Sequence, residues 1–132
     1  MSDYITNVAD GGERISYGEG MAQREPSSGK GRYDLISPFA LHRLALRAEG
    51  GSAKYSDRNW ENGMPFHRYI DSAKRHINQW ELGLDDEDHL AAAVWNLFAI
   101  MHHESAGQWY FDDMPHYLKK RGDANEKEDS GS

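Results

Sequence analysis

The sequence contains no cysteine and no long apolar run, and each absence narrows the class of protein. Without cysteine the chain has no disulfide framework, no thiolate nucleophile and no Cys-ligated zinc site. No apolar stretch approaches the roughly 20 residues of a membrane span, and the amino terminus lacks a charged-then-apolar signal pattern. These absences predict a soluble, cytoplasmic protein with no membrane partner.

Basic residues are also in the minority, with 15 Lys and Arg against 22 Asp and Glu and a net charge of -7. Binding of duplex nucleic acid needs clustered Lys and Arg on the phosphates, so this composition argues against it. The acidic balance instead favours divalent cations. A length of 132 residues fits one domain of the usual ~100 to 150.

Composition divides the chain into three parts. Residues 1–30 are rich in Gly, Ser, Asp, Glu and Arg, and they bury too little apolar surface to offset the entropy of ordering. We predict a flexible segment there and a disordered tail over residues 122–132, which are almost entirely polar. Residues 31–121 are then the folded domain.

Helical spacing of apolar residues predicts an all-α fold, a small helical bundle. Ser37 and Pro38 mark a first helix start, and Gly50 and Gly51 should end that helix. A second helix begins at Pro65. Its apolar face is Phe66, Ile70, Ala73, Ile77 and Trp80, with His76 at the border. A third helix opens in the acidic cluster Asp85–Asp88 and runs to about His103, where His102 and His103 cap its end; Trp109–Lys120 forms a short helix or lid.

The third helix is apolar from Leu90 to Met101 except for Asn96, which predicts burial on nearly all sides. A bundle this small cannot cover such a helix alone, so we expect a homo-oligomer, either a dimer or a tetramer. A buried amide without partners costs ~1 to 3 kcal/mol, so the fold or a ligand must satisfy Asn96.

Asp86, His89 and Asn96 follow one stripe of this helix and form the first site candidate. Together with His76, the acidic residues could hold Mg²⁺ or Mn²⁺, because hard cations select carboxylates. The alternative is that Asp85–Asp88 only cap the helix and that His76 is a hydrogen-bonded border residue.

A polar loop supplies the second site candidate: Lys54, Arg58, Asn59 and Trp60. Lys and Arg suit phosphate oxygens, and an indole face suits a nucleobase. Alternatively, Trp60 plugs the end of the core and the charges are solvated. Asp71 and Arg75, four residues apart, either form an ordinary helical ion pair or face a triphosphate or a neighbouring subunit.

Three elements within residues 31–104, KY-x-DRNW, RH and DHLAAA-x-WN, make the chain recognisable. It resembles the dATP/dGTP diphosphohydrolase N-terminal domain family of bacteriophages, which is similar to the MazG-type all-α nucleoside triphosphate pyrophosphohydrolases. The resemblance implies Mg²⁺ or Mn²⁺ held by carboxylates of two helices, and cleavage of dGTP or dATP to the monophosphate and pyrophosphate. It also implies a place in phage nucleotide metabolism, where some pathways replace adenine with 2-aminoadenine, and hence the host cytoplasm.

The MazG-type signature pairs an ExxE helix with an ExxD helix, and this chain has no clean copy of either. The nearest equivalent of the second is Asp86 with His89; the first could draw on Glu49, or on Asp71 and His76. The predicted metal ligands are Glu49, Asp71, Asp86, Asp88 and His89. The predicted catalytic residues are Asp86, His89, Asn96 and His76, and the predicted nucleotide-binding residues are Lys54, Arg58, Asn59, Trp60 and Arg75.

Two other functions compete with this hypothesis. A non-enzymatic helical interaction module would need no metal. A triphosphohydrolase with an HD-like site would release triphosphate, although the sequence lacks the adjacent His-Asp pair that such sites use.

Overall fold

Three helices form the molecule in a computed structural model that describes residues 14–26 and 28–118. Over these residues the α-helices are α1 (Pro38–Lys54), α2 (Phe66–Glu81) and α3 (His89–Ser105). The helices α2 and α3 pack most extensively on each other, and α1 lies against α3. The all-α prediction is confirmed.

A small antiparallel ladder, which the sequence did not predict, precedes the helices. Its strands are β1 (Ile15–Ser16) and β2 (Gln23–Arg24), with Ile15 opposite Arg24. All four residues are exposed, so the ladder adds nothing to the core. The predicted disordered tail, residues 122–132, lies outside the described residues.

Helix α1 begins where the sequence predicts but ends later. The Ser37 side chain accepts a hydrogen bond from the backbone N–H of Ala40 at 3.2 Å, as an N-cap residue does. The predicted end at Gly50 and Gly51 is wrong, because the helix continues through both glycines to Lys54. Each glycine inside a helix costs about 1 kcal/mol, so the pair costs about 2 kcal/mol, which a 17-residue helix tolerates.

Helix α2 buries a face that is rotated from the predicted one. Phe66, Tyr69, Ala73 and His76 are its buried residues, and Phe66 and Tyr69 form the core with Ala99 of α3. Trp80, predicted on the apolar face, is 53% exposed. The predicted border position of His76 is therefore wrong, since its side chain lies on the buried face.

Helix α3 begins at His89, after the acidic cluster rather than within it. Asp88 is the N-cap and its carboxylate accepts from the Ala91 N–H at 3.1 Å, while Asp85–Glu87 lie in the preceding loop. An aspartate is a preferred N-cap because its oxygen satisfies an orphan amide. The capping interpretation thus holds for Asp88.

Burial of α3 on all sides is also corrected within this chain. Its alanines at 91, 92, 93 and 99 are buried. Four large apolar side chains, spaced as one stripe of the helix, are between 41% and 57% exposed: Val94, Leu97, Phe98 and Met101. The reason is that α1 and α2 cover only part of the circumference of α3.

The segment after α3 folds back onto the bundle. It contains a short 3-10 turn, Trp109–Phe111, and Phe111 packs against the α-carbon of Gly63, where a larger residue would collide with its ring. His103, predicted as a helix cap, is fully buried; its Nε2 faces the Tyr69 hydroxyl at 3.3 Å. His103 is therefore a core residue.

Candidate functional site

A cleft of about 1170 Å³ lies between α1, the loop that follows it, and the start of α3. Its lining includes four basic side chains, three acidic ones, two indoles, and two small polar side chains that belong to α2 and α3. In that order these are Arg43, Arg47, Lys54 and Arg58; Asp57, Glu87 and Asp88; Trp60 and Trp95; Ser72 and Asn96. The cleft thus combines groups that bind phosphate with groups that bind a cation.

The loop candidate of the sequence lies at this cleft as a unit. Lys54, Arg58, Asn59 and Trp60 all line it. Trp60 also packs on the core cluster and meets Trp95 edge-on, with ring centroids 5.5 Å apart. Trp60 therefore packs on the core, as the alternative interpretation had it, and also lines the cleft; binding of a nucleobase stays a prediction.

Two arginines of α1 at the cleft were not identified from the sequence. Arg43 binds Asp88 through two nitrogens, at 2.8 and 2.6 Å, and Arg47 donates to Glu87 Oε1 at 2.9 Å. Their spacing of four residues places them on one face of α1. That spacing was the available signal, but no pattern indicates that the face meets the acidic loop 40 residues later.

The centre of the site is a pair of histidines on neighbouring helices. His76 Nδ1 and His89 Nδ1 are 2.9 Å apart, and His89 Nε2 donates to Asp86 Oδ1 at 2.7 Å. A carboxylate can only accept, so the hydrogen of neutral His89 sits on Nε2. Its Nδ1 then accepts the hydrogen bond from the Nδ1–H of His76.

Both histidines are buried, with 8% of His76 and 2% of His89 exposed. Burial lowers the pKa of His76; the charges of Arg47, His89 and Arg75 lower it further, while Glu87 opposes them. His76 is therefore neutral near pH 7 and keeps a lone pair for a proton or a cation. The hydrogen bond from His89 lowers the pKa of Asp86, which stays ionised.

The histidine–glutamate cluster is made of His76, Glu87 and His89. One ligand atom from each lies within 4.8 Å of the other two. Glu87 belongs to the acidic cluster that the sequence pointed to, but it was not among the predicted ligands. Its exposed carboxylate lies on the cleft side, so the cluster and the cleft share one residue.

The other predicted metal ligands lie outside this cluster. Asp86 holds His89, and Asp88 caps α3 and binds Arg43. Asp71 forms an exposed ion pair with Arg75 at 2.8 Å, and neither residue lines the cleft. Glu49 is exposed on α1 and does not line the cleft either.

Asn96 is buried, as predicted, and the fold satisfies its amide. Its Nδ2 donates to the Ala92 carbonyl at 2.8 Å and to Ser72 Oγ at 3.2 Å. With both hydrogens engaged, the side chain is fixed in one orientation at the wall of the cleft. Oδ1 is the group that remains for a ligand or a water.

The fold and the site define a small all-α protein with a charged cleft beside a histidine–glutamate cluster. The family model described as dATP/dGTP diphosphohydrolase, N-terminal, matches residues 21–113, and the chain belongs to this hydrolase family. The match includes β2 and all three helices. No curated protein and no solved structure matches the chain. Within the described part of the chain, no helix is both long and apolar enough to cross a membrane.

Proposed function

We propose that the chain is a metal-dependent hydrolase that converts a purine deoxynucleoside triphosphate, dGTP or dATP, to the monophosphate and pyrophosphate. The observation that carries the proposal is the position of Glu87, which belongs to the histidine–glutamate cluster and to the wall of a cleft with four basic side chains. A triphosphate in the cleft would lie beside a bound cation. The family supplies the substrate class.

The donor set of the cluster fits a divalent cation. Two buried imidazoles and one carboxylate offer two nitrogens and one oxygen, and the lowered pKa of His76 keeps its ring unprotonated. Mg²⁺ prefers oxygen ligands, whereas imidazole suits borderline cations of the first transition row. Between the two cations that the sequence predicts, the cluster therefore favours Mn²⁺.

Different residues of the cleft would bind the phosphates and the base of the nucleotide. Lys54 and Arg58, in and after the last turn of α1, provide positive charge for the phosphates. Trp60 offers an indole ring for the purine. Asn96, held by Ser72 and the Ala92 carbonyl, provides a fixed acceptor for the base or for a water.

In the proposed reaction a water oxygen bonds to the α-phosphorus while the bond from that phosphorus to the α–β bridging oxygen breaks. The bridging oxygen leaves with pyrophosphate, and the proton of the water passes to solvent. His76, Glu87 and His89 would hold the cation, which would supply the Lewis acidity that makes a water molecule a better nucleophile. Asp86 holds the His89 ring in place through Nε2. Lys54 and Arg58 stabilise the negative charge that develops on the leaving pyrophosphate.

The test is an assay of each deoxy- and ribonucleoside triphosphate with Mg²⁺, Mn²⁺ or EDTA, with products separated by ion exchange. We expect dGMP or dAMP plus pyrophosphate, more with Mn²⁺ than with Mg²⁺ and none with EDTA. Glu87→Gln should lower kcat by about 100-fold or more, because even outer-shell partners of a metal contribute 10- to 100-fold. Asp85→Asn, in the same loop but outside the cluster, is the matched control.

Nucleoside plus triphosphate as products would support the HD-like alternative instead. No turnover of any nucleotide with any metal, together with an unchanged melting temperature on metal addition, would support the interaction module.

We also propose that the working unit is a homo-oligomer in which a second copy covers the stripe of Val94, Leu97, Phe98 and Met101. This stripe carries no charge, and a two-fold contact places a surface against itself. An uncharged apolar surface is complementary to its own copy, whereas a charged one would repel it.

A further inference from the structure

We propose that Arg47 is an exchange residue: it neutralises Glu87 until a divalent cation binds the histidine–glutamate cluster, and it is then released to bind the triphosphate. This inference rests on the proposed function and deepens it. It makes metal binding and nucleotide binding one coupled event.

The first observation is that the Glu87 carboxylate belongs both to an ion pair with Arg47 and to the histidine–glutamate cluster. Arg47 donates to Oε1 at 2.9 Å, while the same side chain offers an oxygen within 4.8 Å of the nitrogens of His76 and His89. A cation at the cluster would bind the Glu87 carboxylate, which already neutralises the guanidinium of Arg47. Arg47 therefore competes with the cation for Glu87.

The second observation is the position of Arg47. It lies on α1 and lines the cleft, beside the basic side chains that would meet a triphosphate. Its side chain is 37% exposed and that of Glu87 is 41% exposed, so the ion pair is in contact with solvent. Exposed pairs of this kind contribute little to stability, so a divalent cation readily displaces the arginine.

The third observation is the contrast with Arg43, one helical turn earlier on the same face. Arg43 binds both oxygens of Asp88, which also caps α3 through the Ala91 N–H. Asp88 lies outside the histidine–glutamate cluster. The Arg43 pair therefore fastens α1 to the start of α3, and the Arg47 pair is the one that a cation can take apart.

Once Glu87 binds a cation, the guanidinium of Arg47 would lose its hydrogen bond to Glu87 while it still lines the cleft. A triphosphate offers it the same planar pair of oxygens that a carboxylate does. A bound cation takes Glu87 away from Arg47, and a bound triphosphate takes Arg47 away from Glu87. Each ligand therefore removes the competitor of the other, so each tightens the binding of the other by the same factor.

The experiment measures Mn²⁺ binding to the full chain without nucleotide, by loss of the free Mn²⁺ electron paramagnetic resonance signal. Removing the competitor in Arg47→Gln should tighten Mn²⁺ binding about two- to fivefold, the factor for an exposed ion pair. Arg43→Gln removes the same charge one turn away and should change it less. Arg47→Lys keeps the competing charge and should restore the wild-type value.

Nucleotide binding is then measured with α,β-methylene-dGTP, with and without Mn²⁺. In the wild type Mn²⁺ should tighten binding of the analogue, and in Arg47→Gln this gain should shrink by at least twofold. Equal Mn²⁺ affinity in the wild type, Arg47→Gln and Arg43→Gln would overturn the exchange while the metal site stood. No Mn²⁺ binding to the wild type, or unchanged binding in His89→Asn, would overturn the metal site itself and the exchange with it.

Discussion

At the scale of single residues, Asp86 shows how one hydrogen bond sets the chemistry of a ring. Its carboxylate holds the Nε2 hydrogen of His89, which leaves the Nδ1 lone pair on the side of His76 and Glu87. Asp86 is thus a positioning residue for the histidine–glutamate cluster. The sequence placed Asp86, His89 and Asn96 on one stripe; the structure joins Asp86 and His89 by a hydrogen bond, whereas Asn96 bonds to Ser72 and Ala92 instead.

Asp86→Ala should weaken Mn²⁺ binding by about 10-fold, because outer-shell partners contribute 10- to 100-fold and Asp86 is exposed. Asp86→Asn keeps an acceptor oxygen and should retain most of the affinity. The ¹⁵N shifts of the His89 ring report the tautomer directly. A ring that keeps its hydrogen on Nε2 in Asp86→Ala would contradict the assigned role.

Asp88 gives a prediction on acid stability. The hydrogen bonds from Arg43 lower its pKa from 3.8 to about 2 in the folded protein. A depressed pKa means that the unfolded chain binds the proton more readily, so stability is present above about pH 4 and is lost as the pH falls toward 2. The free energy of unfolding, measured by urea titration, should decline over this range.

Asp88→Asn is the matched variant, because asparagine is as good an N-cap but does not titrate. Part of the decline between pH 4 and 2 should disappear in this variant. An unchanged pH profile would show that the Asp88 pair does not contribute to acid stability. The effect is modest, since the Asp88 side chain is 38% exposed.

At the scale of elements, Gly50 and Gly51 inside α1 are unusual, because nothing lies within 4 Å of the position where a side chain would begin. Gly50→Ala should raise the free energy of unfolding by about 0.5 to 1 kcal/mol through helix propensity alone. Chemical denaturation measures the change. Gly63→Ala is the opposite control and should destabilise, since its φ is +78° and Phe111 packs on it.

Both helical glycines also line the cleft. If Gly50→Ala stabilises the chain but raises KM for the nucleotide, the glycines keep this wall of the cleft open for substrate. An unchanged KM would mean that the glycines have no part in substrate access.

The sequence predicted the three helices because apolar spacing and capping residues are local signals. Ser37, the N-cap of α1, and Pro65, the residue before α2, are examples of such signals. It placed the end of α1 at Gly50 because glycine is a common helix end, yet isolated glycines are also tolerated inside helices. The start of α3 moved by a few residues because Asp85–Asp88 offer four consecutive acidic positions, of which only one could be the N-cap.

For the site, the sequence predicted a set of candidate residues but not what each one touches. Asn96 and the residues from Lys54 to Trp60 line the cleft, whereas His76 and His89 contact each other and do not line it. Glu87 was missed because four adjacent acids look alike, and Arg43 and Arg47 because their partners are 45 and 40 residues away. Pairing across such separations depends on tertiary packing.

At the scale of the whole molecule, the apolar stripe of α3 gives a prediction on assembly. Leu97→Glu places a charge in the middle of the stripe and should convert a dimer or larger assembly to monomers, measured by size-exclusion chromatography with light scattering. Leu82→Glu, at a position that is 71% exposed beyond α2, should leave the assembly unchanged. A wild-type monomer at micromolar concentration would contradict the prediction.

No residue of α1 is buried, although α1 forms one whole wall of the cleft. Contacts that hold it are its two arginine pairs with the acidic loop and its packing on α3. Elements with few buried contacts open at lower free energy than the core. Amide hydrogens of α1 should therefore exchange with solvent well before those of α2 and α3. The α1 wall of the cleft would then open locally, while the two histidines stay on the more rigid helices α2 and α3.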